Sequence, residues 1–167
     1  AVTAGSYTAA NITVDAQGRI TAAANGSATS SLNDLSDAKT TDSGAADESI
    51  FIGTDSGKSI TNGDSNVAIG YKAMEESTST NESVAIGSGA AENQSGYSDF
   101  VAIGFQACQN STQPGDGVFI GHKAGKENDG NDNVFVGHSA GELADEVAQS
   151  VFIGSQSGYG AGTTKPS

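Results

Sequence analysis

The chain has little of what an ordinary globular core is built from. Its 167 residues include no Trp, one Met, one Cys and two Pro, and aromatic residues make up 6% of the composition. Small residues take their place, with 23 Gly and a hydrophobic fraction of only 35%. A core of large side chains is therefore not expected. The single cysteine, Cys108, excludes an intrachain disulfide framework and a cysteine-based zinc site.

Basic residues are also scarce. Seven Lys and Arg stand against twenty Asp and Glu, which gives a formal net charge of -13. Such a charge repels phosphate backbones and anionic lipid, and it leaves no basic stripe for nucleic acid. Apolar runs never approach the length of about eighteen residues that a membrane-spanning helix needs. We therefore expect no nucleic-acid partner and no membrane insertion.

What the sequence does contain is a repeat. The stretch "NVAIGYKA" at 66–73 returns in altered form along the chain, and each copy has a pivot glycine. The pivots are Gly53, Gly70, Gly87, Gly104, Gly121, Gly137 and Gly154. They are spaced by 17 residues, except for one interval of 16 between Gly121 and Gly137. A fixed period of this kind is the signature of a solenoid, in which stacked units bury each other's apolar faces.

Within each repeat, the residues before the pivot predict a short β-strand. They alternate at period two and are dominated by Val, Ile, Phe and Ala. The pivot glycine predicts a corner where a Cβ would obstruct a close backbone approach. A Ser or Ala always follows three residues later, which predicts a second, tightly packed strand. The remaining residues, as in "EESTSTNE", predict solvated loops.

The two faces of the first strand are both apolar, and we expect them to have different roles. Val and Ile, such as Val67 and Ile69, are expected to fill the coil. The other face carries Ala in three repeats and Phe in four, and it is expected to pack around a shared axis with other copies of the chain. The aromatic residues expected on that axis are Phe51, Phe119, Phe135 and Phe152.

Sequence outside the repeats divides into three parts. Residues 1–27 predict a β-hairpin module, since Ile12 and Val14 alternate with polar residues, "DAQG" forms a turn, and alternation resumes at Ile20. Residues 28–48 predict a linker and residues 159–167 a tail, which leaves 49–158 for the seven repeats.

The repeat resembles the head of trimeric autotransporter adhesins. The resemblance rests on "NVAIG" followed by a small residue, and the variant "NVFVGHSAG" is similar to repeats of phage tail-fibre proteins. It implies an all-β fold, a left-handed parallel β-roll of seven coils assembled as a parallel homotrimer. The segment "GSYTAANITVDAQGRITAAANGS" resembles a module of phage tail fibres. The resemblance therefore implies a structural fibre segment of the virion that contacts other copies, other tail or fibre proteins, and a host-surface glycan or protein.

Two other functions remain open. The repeat alone equally fits a bacterial surface adhesin of the autotransporter type, although its period is longer and Phe replaces a small residue in four repeats. A carbohydrate- or ice-binding solenoid is the third alternative, which would need a flat array of Thr or aromatic residues. The loops are too irregular for such an array.

Several side chains are candidates for a binding or reactive role. His122 and His138 occupy the same position in adjacent repeats, so they are expected to stack, either as a metal site or as solvent-facing corner residues. Acidic loops such as "NDGNDN" invite a calcium site but fit turns better. Tyr71, Tyr97 and Phe105 are candidate receptor contacts. No catalytic motif is present, so we expect no enzyme activity, no cofactor and no metal.

Overall fold

The computed structural model describes residues 10–24, 38–41, 48–94, 98–111 and 114–162. The chain divides into two compact units, residues 1–35 and 36–167. Both are built from strands and turns alone in the part of the chain that is described. No helix there has the length and apolar character needed to cross a bilayer.

The first unit contains the predicted hairpin. Strands β1 (Asn11–Val14) and β2 (Ile20–Ala24) pair antiparallel around a turn at Asp15 to Gly18. The Gly18 amide donates to the Asp15 carbonyl at 2.9 Å, and Gly18 has the positive φ of 77° that the turn requires. The Asp15 carboxylate accepts hydrogen bonds from the backbone N–H of Arg19 and from its guanidinium, and these bonds lower the pKa of Asp15.

The second unit is a parallel β-solenoid. Its strands are β3 (Ala38–Thr41), β4 (Ser49–Ile52), β5 (Val67–Ile69), β6 (Val84–Ile86), β7 (Val101–Ile103), β8 (Val118–Ile120), β9 (Val134–Val136) and β10 (Val151–Ile153). Strands β4 to β10 pair in parallel and in sequence order, so the repeats make about six turns. Equivalent residues face each other in every pair, as Val67 does Val84, and the 16-residue interval keeps this register. The predicted repeat strands are confirmed.

Strand β3 lies within the region predicted as a linker. It pairs antiparallel with β4, with Lys39 opposite Phe51. This pairing covers the edge of the solenoid at β4, which would otherwise present unpaired backbone groups. The linker prediction for 28–48 therefore missed a structural strand.

The pivot glycines stack directly on one another, as predicted. A Cβ built on Gly53 would lie 2.7 Å from the carbonyl oxygen of Gly70, and one on Gly70 would lie 2.6 Å from that of Gly87. These glycines also have φ near 120° to 143°, which disfavours any side chain. The pivots thus fix how closely successive coils approach each other.

The segment after each pivot is not the second strand that the sequence predicts. Its residues form turns in which every other residue has a positive φ, as Lys72 (58°) and Met74 (55°) do. These turns still join the coils, because the Lys72 amide donates to the Thr54 carbonyl and the Met74 amide to the Ala90 carbonyl, both at 3.0 Å. The small residues between them are fully buried where they are Ala, as Ala73 is, whereas Ser56 and Ser157 at the two ends of the solenoid are partly buried.

The coil interior contradicts the predicted orientation of the strands. Phe51, Phe119 and Phe135 are at most 2% exposed and fill the coils, and the equivalent Ala residues are fully buried. Phe152 belongs to the same stack, with its ring centroid 4.8 Å from that of Phe135. A strand of three residues turns only its middle side chain inward, so each strand contributes one Phe or Ala to the coil interior. The prediction that Phe51, Phe119, Phe135 and Phe152 line an axis between chains is therefore wrong.

Candidate functional site

The outward face of the parallel sheet is an apolar ladder. On each strand the two residues flanking the buried Phe or Ala point away from the coil, so Val and Ile form two parallel columns. The members are Ile50, Ile52, Val67, Ile69, Val84, Ile86, Val101, Ile103, Val118, Ile120, Val134, Val136, Val151 and Ile153. All of them are partly or largely exposed, from intermediate values at mid-sheet to 69% at Ile153. We name this surface the Val/Ile ladder.

A second surface feature is the column of residues directly after the pivots, here called the corner column. It consists of Thr54, Tyr71, Ser88, Phe105, His122, His138 and Ser155. The rings of His122 and His138 are parallel to within 2°, with centroids 4.8 Å apart. Phe105 stacks on His122 at 5.2 Å. The predicted stacking of the two histidines is confirmed, and both side chains are exposed.

The histidine pair supplies two imidazoles in neighbouring coils. Across the residues that the structure describes, no group of three or more His, Cys, Asp or Glu side chains is arranged to hold a metal ion. A tightly held metal usually needs three or four protein ligands. The corner position is thus better described as a stacked, solvent-facing column.

The corner column also contains a gap. Ser88 is small, and its neighbours Tyr71 and Phe105 are large and exposed by 53% and 46%. The Gly89 amide donates to the Tyr71 carbonyl at 2.9 Å and the Gln106 amide donates to the Ser88 carbonyl at 3.0 Å, so these residues occupy three consecutive rungs. Tyr71 and Phe105 line one open notch of about 330 Å³. Tyr97, the third candidate receptor contact, lies outside the described residues.

Charged side chains form ion pairs between adjacent coils beside this notch. The Lys72 ammonium lies 2.8 Å from the Glu75 carboxylate and 3.7 Å from that of Glu92, and Lys58 contacts Glu75 at 3.2 Å. The hydrogen bond from Lys72, followed by that from Lys58, lowers the pKa of Glu75 despite its burial. Most of the positive charge here is therefore already paired.

Acidic residues form a column of their own in the loops that precede the strands. Glu82, Asp99, Asp116 and Asp132 occupy equivalent positions in four successive coils, each with a positive φ between 49° and 64°. An open hollow beside Glu82 and Asp99 is also lined by Asp64. These loops are turns, as predicted, and like charges repeat on neighbouring rungs.

Cys108 is fully buried in the coil interior. Burial raises the pKa of its thiol to about 12, so the thiolate is not populated at neutral pH. Cys108 is therefore a packed core residue rather than a reactive thiol.

Comparison with known proteins adds no relative. No protein-family model matches the chain, and no curated protein or solved structure matches it either. The two outward surfaces and the resemblance in the repeat are therefore the features that bear on function.

Proposed function

We propose that the chain is a structural, non-enzymatic segment of a phage tail fibre. Three copies would assemble into a parallel homotrimer of left-handed β-rolls that belongs to the virion and supports attachment to the host surface. Its partners would be other copies of the chain, other tail or fibre proteins, and a glycan or protein of the host. The observation that carries the proposal is the Val/Ile ladder.

The ladder is unlike the surface of a protein that works as a monomer. It runs the whole length of the parallel sheet, two columns wide, and all of its side chains are β-branched. Contiguous apolar surface of this length marks an interface, because water would otherwise cover it at a cost in free energy. A cyclic threefold arrangement would bury all three copies of the ladder on one axis while leaving that axis open at both ends.

The charge distribution is compatible with such an assembly. A chain of net charge -13 repels its copies, and that repulsion is smallest when the carboxylates stay away from the contact. The acidic column of Glu82, Asp99, Asp116 and Asp132 lies in the loops rather than on the ladder. The ladder itself contains no charged residue.

A bacterial adhesin head is the second candidate function. It is favoured by the repeat itself, in which "NVAIG" is followed by a stack of small residues such as Ala73 and Ala90. The hairpin at Asn11–Val14 and Ile20–Ala24 is the feature that favours the fibre instead.

Mass measurement in solution tests the assembly on which both candidates rest. Light scattering coupled to size exclusion should give 3 × 16.6 kDa, or about 50 kDa, at micromolar concentration. On denaturation, the trimer should dissociate and lose its secondary structure in the same transition. A folded species of 16.6 kDa under these conditions would contradict the trimer and the fibre function with it.

A further inference from the structure

We infer that the gap at Ser88 in the corner column is a binding slot for one neutral pyranose ring of a glycan. The slot has Tyr71 and Phe105 as its two walls. This inference rests on the proposed role in attachment, and it specifies the class of ligand that the attachment would use.

The spacing of the column supports a ring-shaped ligand. Rings on adjacent rungs already stack here, at 4.8 Å for His122 on His138 and 5.2 Å for Phe105 on His122. Tyr71 and Phe105 lie two rungs apart, roughly twice the strand spacing of about 4.8 Å. A ring placed on the Ser88 rung would therefore stack on both walls at a normal ring distance. The ligand would complete a column that the protein leaves incomplete.

Gly89 forms the floor of the slot and leaves room there for the side chains of Glu92 and Gln109. A Cβ at this position would lie 3.2 Å from a Glu92 carboxylate oxygen and 3.4 Å from the Gln109 amide nitrogen. Its φ of 67° also disfavours a side chain. Small residues at two consecutive positions, Ser88 and Gly89, thus leave the notch of about 330 Å³ between the walls. That volume is at the lower end of the range for small-ligand sites.

Polar groups at the rim decide between a sugar and an aromatic side chain. The notch is lined by the Ser88 hydroxyl, the amides of Gln106 and Gln109, and the Glu92 carboxylate. A pyranose presents C–H groups on its faces and hydroxyls around its edge, so it can stack and hydrogen-bond at once. Glu92 and Gln109 already hydrogen-bond to each other, since the Gln109 amide donates to the Glu92 carboxylate at 2.5 Å. An aromatic side chain would stack equally well but would offer no hydrogen-bond partner to the Ser88 hydroxyl or the Gln106 amide, which is unfavourable.

Charge decides between neutral and anionic sugars. Lys72 is the one cation lining the notch, and its ammonium already lies 2.8 Å from Glu75 and 3.7 Å from Glu92. Glu92 adds a negative charge to the rim, and the whole chain has a net charge of -13. Sialylated or phosphorylated sugars would therefore be repelled. Neutral hexopyranoses fit the slot.

The test uses the full chain and saturation-transfer NMR with methyl glycosides of glucose, galactose, mannose and N-acetylglucosamine. At least one should receive saturation on its ring C–H protons, whereas a sialic acid methyl glycoside should not. Tyr71→Ala and Phe105→Ala should each weaken binding about tenfold, as expected for loss of one stacking wall. Ser88→Phe should abolish binding while the fold is kept, because the new ring occupies the empty rung.

His138→Ala is the matched control, since it removes a ring from the same column outside the slot. It should bind as the wild type does. Three results would overturn the slot: no transfer to any neutral glycoside, binding retained in Ser88→Phe, or binding of N-acetyl-tyrosine amide in place of sugars. A change of oligomeric mass in Tyr71→Ala would also contradict it, by making the column a contact between chains. A trimer that binds no glycoside refutes the slot alone, whereas a sugar-binding monomer refutes the fibre alone.

Discussion

Phe119 and Gly125 share one space inside their coil. A Cβ on Gly125 would lie 2.6 Å from Cε1 of the Phe119 ring, and the same holds for Gly57 against Phe51. Wherever the strand supplies Phe, the residue six positions later is Gly, and wherever it supplies Ala, that residue is Met74, Ala91 or Cys108. Most coils are therefore filled from one side or the other, whereas the coil of Ala85 and Ala91 has a small residue at both positions.

Exchange of the two side chains tests this reciprocity. Phe119→Ala should cost about 3 to 5 kcal/mol of unfolding free energy, as for other buried aromatics. Gly125→Met should cost at least about 2 kcal/mol, because its side chain overlaps the Phe119 ring. The double variant recreates the fully buried pair Ala68 and Met74. It should return to within about 2 kcal/mol of the wild type, since the two changes compensate each other. The three variants are compared by denaturant unfolding. If the double variant loses the sum of the two single losses of unfolding free energy, the two side chains do not share one space.

Charges on the Val/Ile ladder should separate the copies. Ile86→Lys with Ile103→Lys places two ammonium groups at mid-ladder, where burial without partners is strongly unfavourable. We expect the mass to fall to 16.6 kDa with the coil interior unaffected. The control, Asn62→Lys with Thr78→Lys, adds the same charge to exposed loop positions and should leave the mass unchanged. A double ladder variant that keeps the trimer mass would place the contact elsewhere.

Neutralising one carboxylate of the acidic column should stabilise the fold. Asp99 lies between Glu82 and Asp116 on the neighbouring rungs, so Asp99→Asn relieves repulsion on both sides. Asn also tolerates the φ of 64° at this position. We expect a gain of about 0.5 kcal/mol at low salt that shrinks as salt screens the charges.

Asp55→Asn serves as the control for this column. Asp55 has a similar φ of 59°, but it pairs with Lys58 at 3.2 Å. The substitution removes an attraction rather than a repulsion, so it should not stabilise. Equal gains in the two variants, measured by thermal unfolding, would show that backbone preference rather than charge is responsible.

The lowered pKa of Glu75 makes stability depend on pH in a defined direction. Because the folded state holds this carboxylate ionised below its ordinary value of 4.5, its contribution is fully present above that pH. It is lost as the pH falls through the folded pKa. Glu75→Gln should therefore destabilise the protein at pH 7, and the difference from the wild type should shrink in acid. Glu76→Gln makes the same change at an exposed neighbour and serves as the control for the substitution itself. A difference independent of pH would contradict the ionic origin.

Some of this structure could be predicted because its signals are local or strictly periodic. The period of the pivots determined which strands pair and in what register, and "DAQG" at 15–18 marked the hairpin turn. Strand β3 gave no such signal, since "AKTT" has no apolar alternation and its pairing depends on the edge of β4. Likewise, Lys and Met rarely adopt a positive φ. Lys72 and Met74 are kept in that conformation by hydrogen bonds between coils, which the local sequence does not reveal.

The predicted orientation of the repeat strands is wrong because both faces of each strand are apolar. Alternation cannot tell Phe119 from Val118 and Ile120 as the inward residue. A signal was present in the pairing of Phe with Gly six residues later, but it is visible only when columns are compared with each other. The slot at Ser88 is likewise visible only when equivalent positions of successive repeats are compared, because Ser88 is small and the residues at the equivalent positions on either side are large.

The stacked pivots have a consequence for how the solenoid unit changes in evolution. Because each pivot from Gly53 to Gly137 packs against the pivot of the next coil, gain or loss of one whole coil keeps the glycines aligned. A gain or loss of residues at the corner itself would misalign the glycines, whereas the loops absorb it, as the 16-residue interval does. The length of the solenoid therefore changes in discrete steps of about 4.8 Å, one coil at a time.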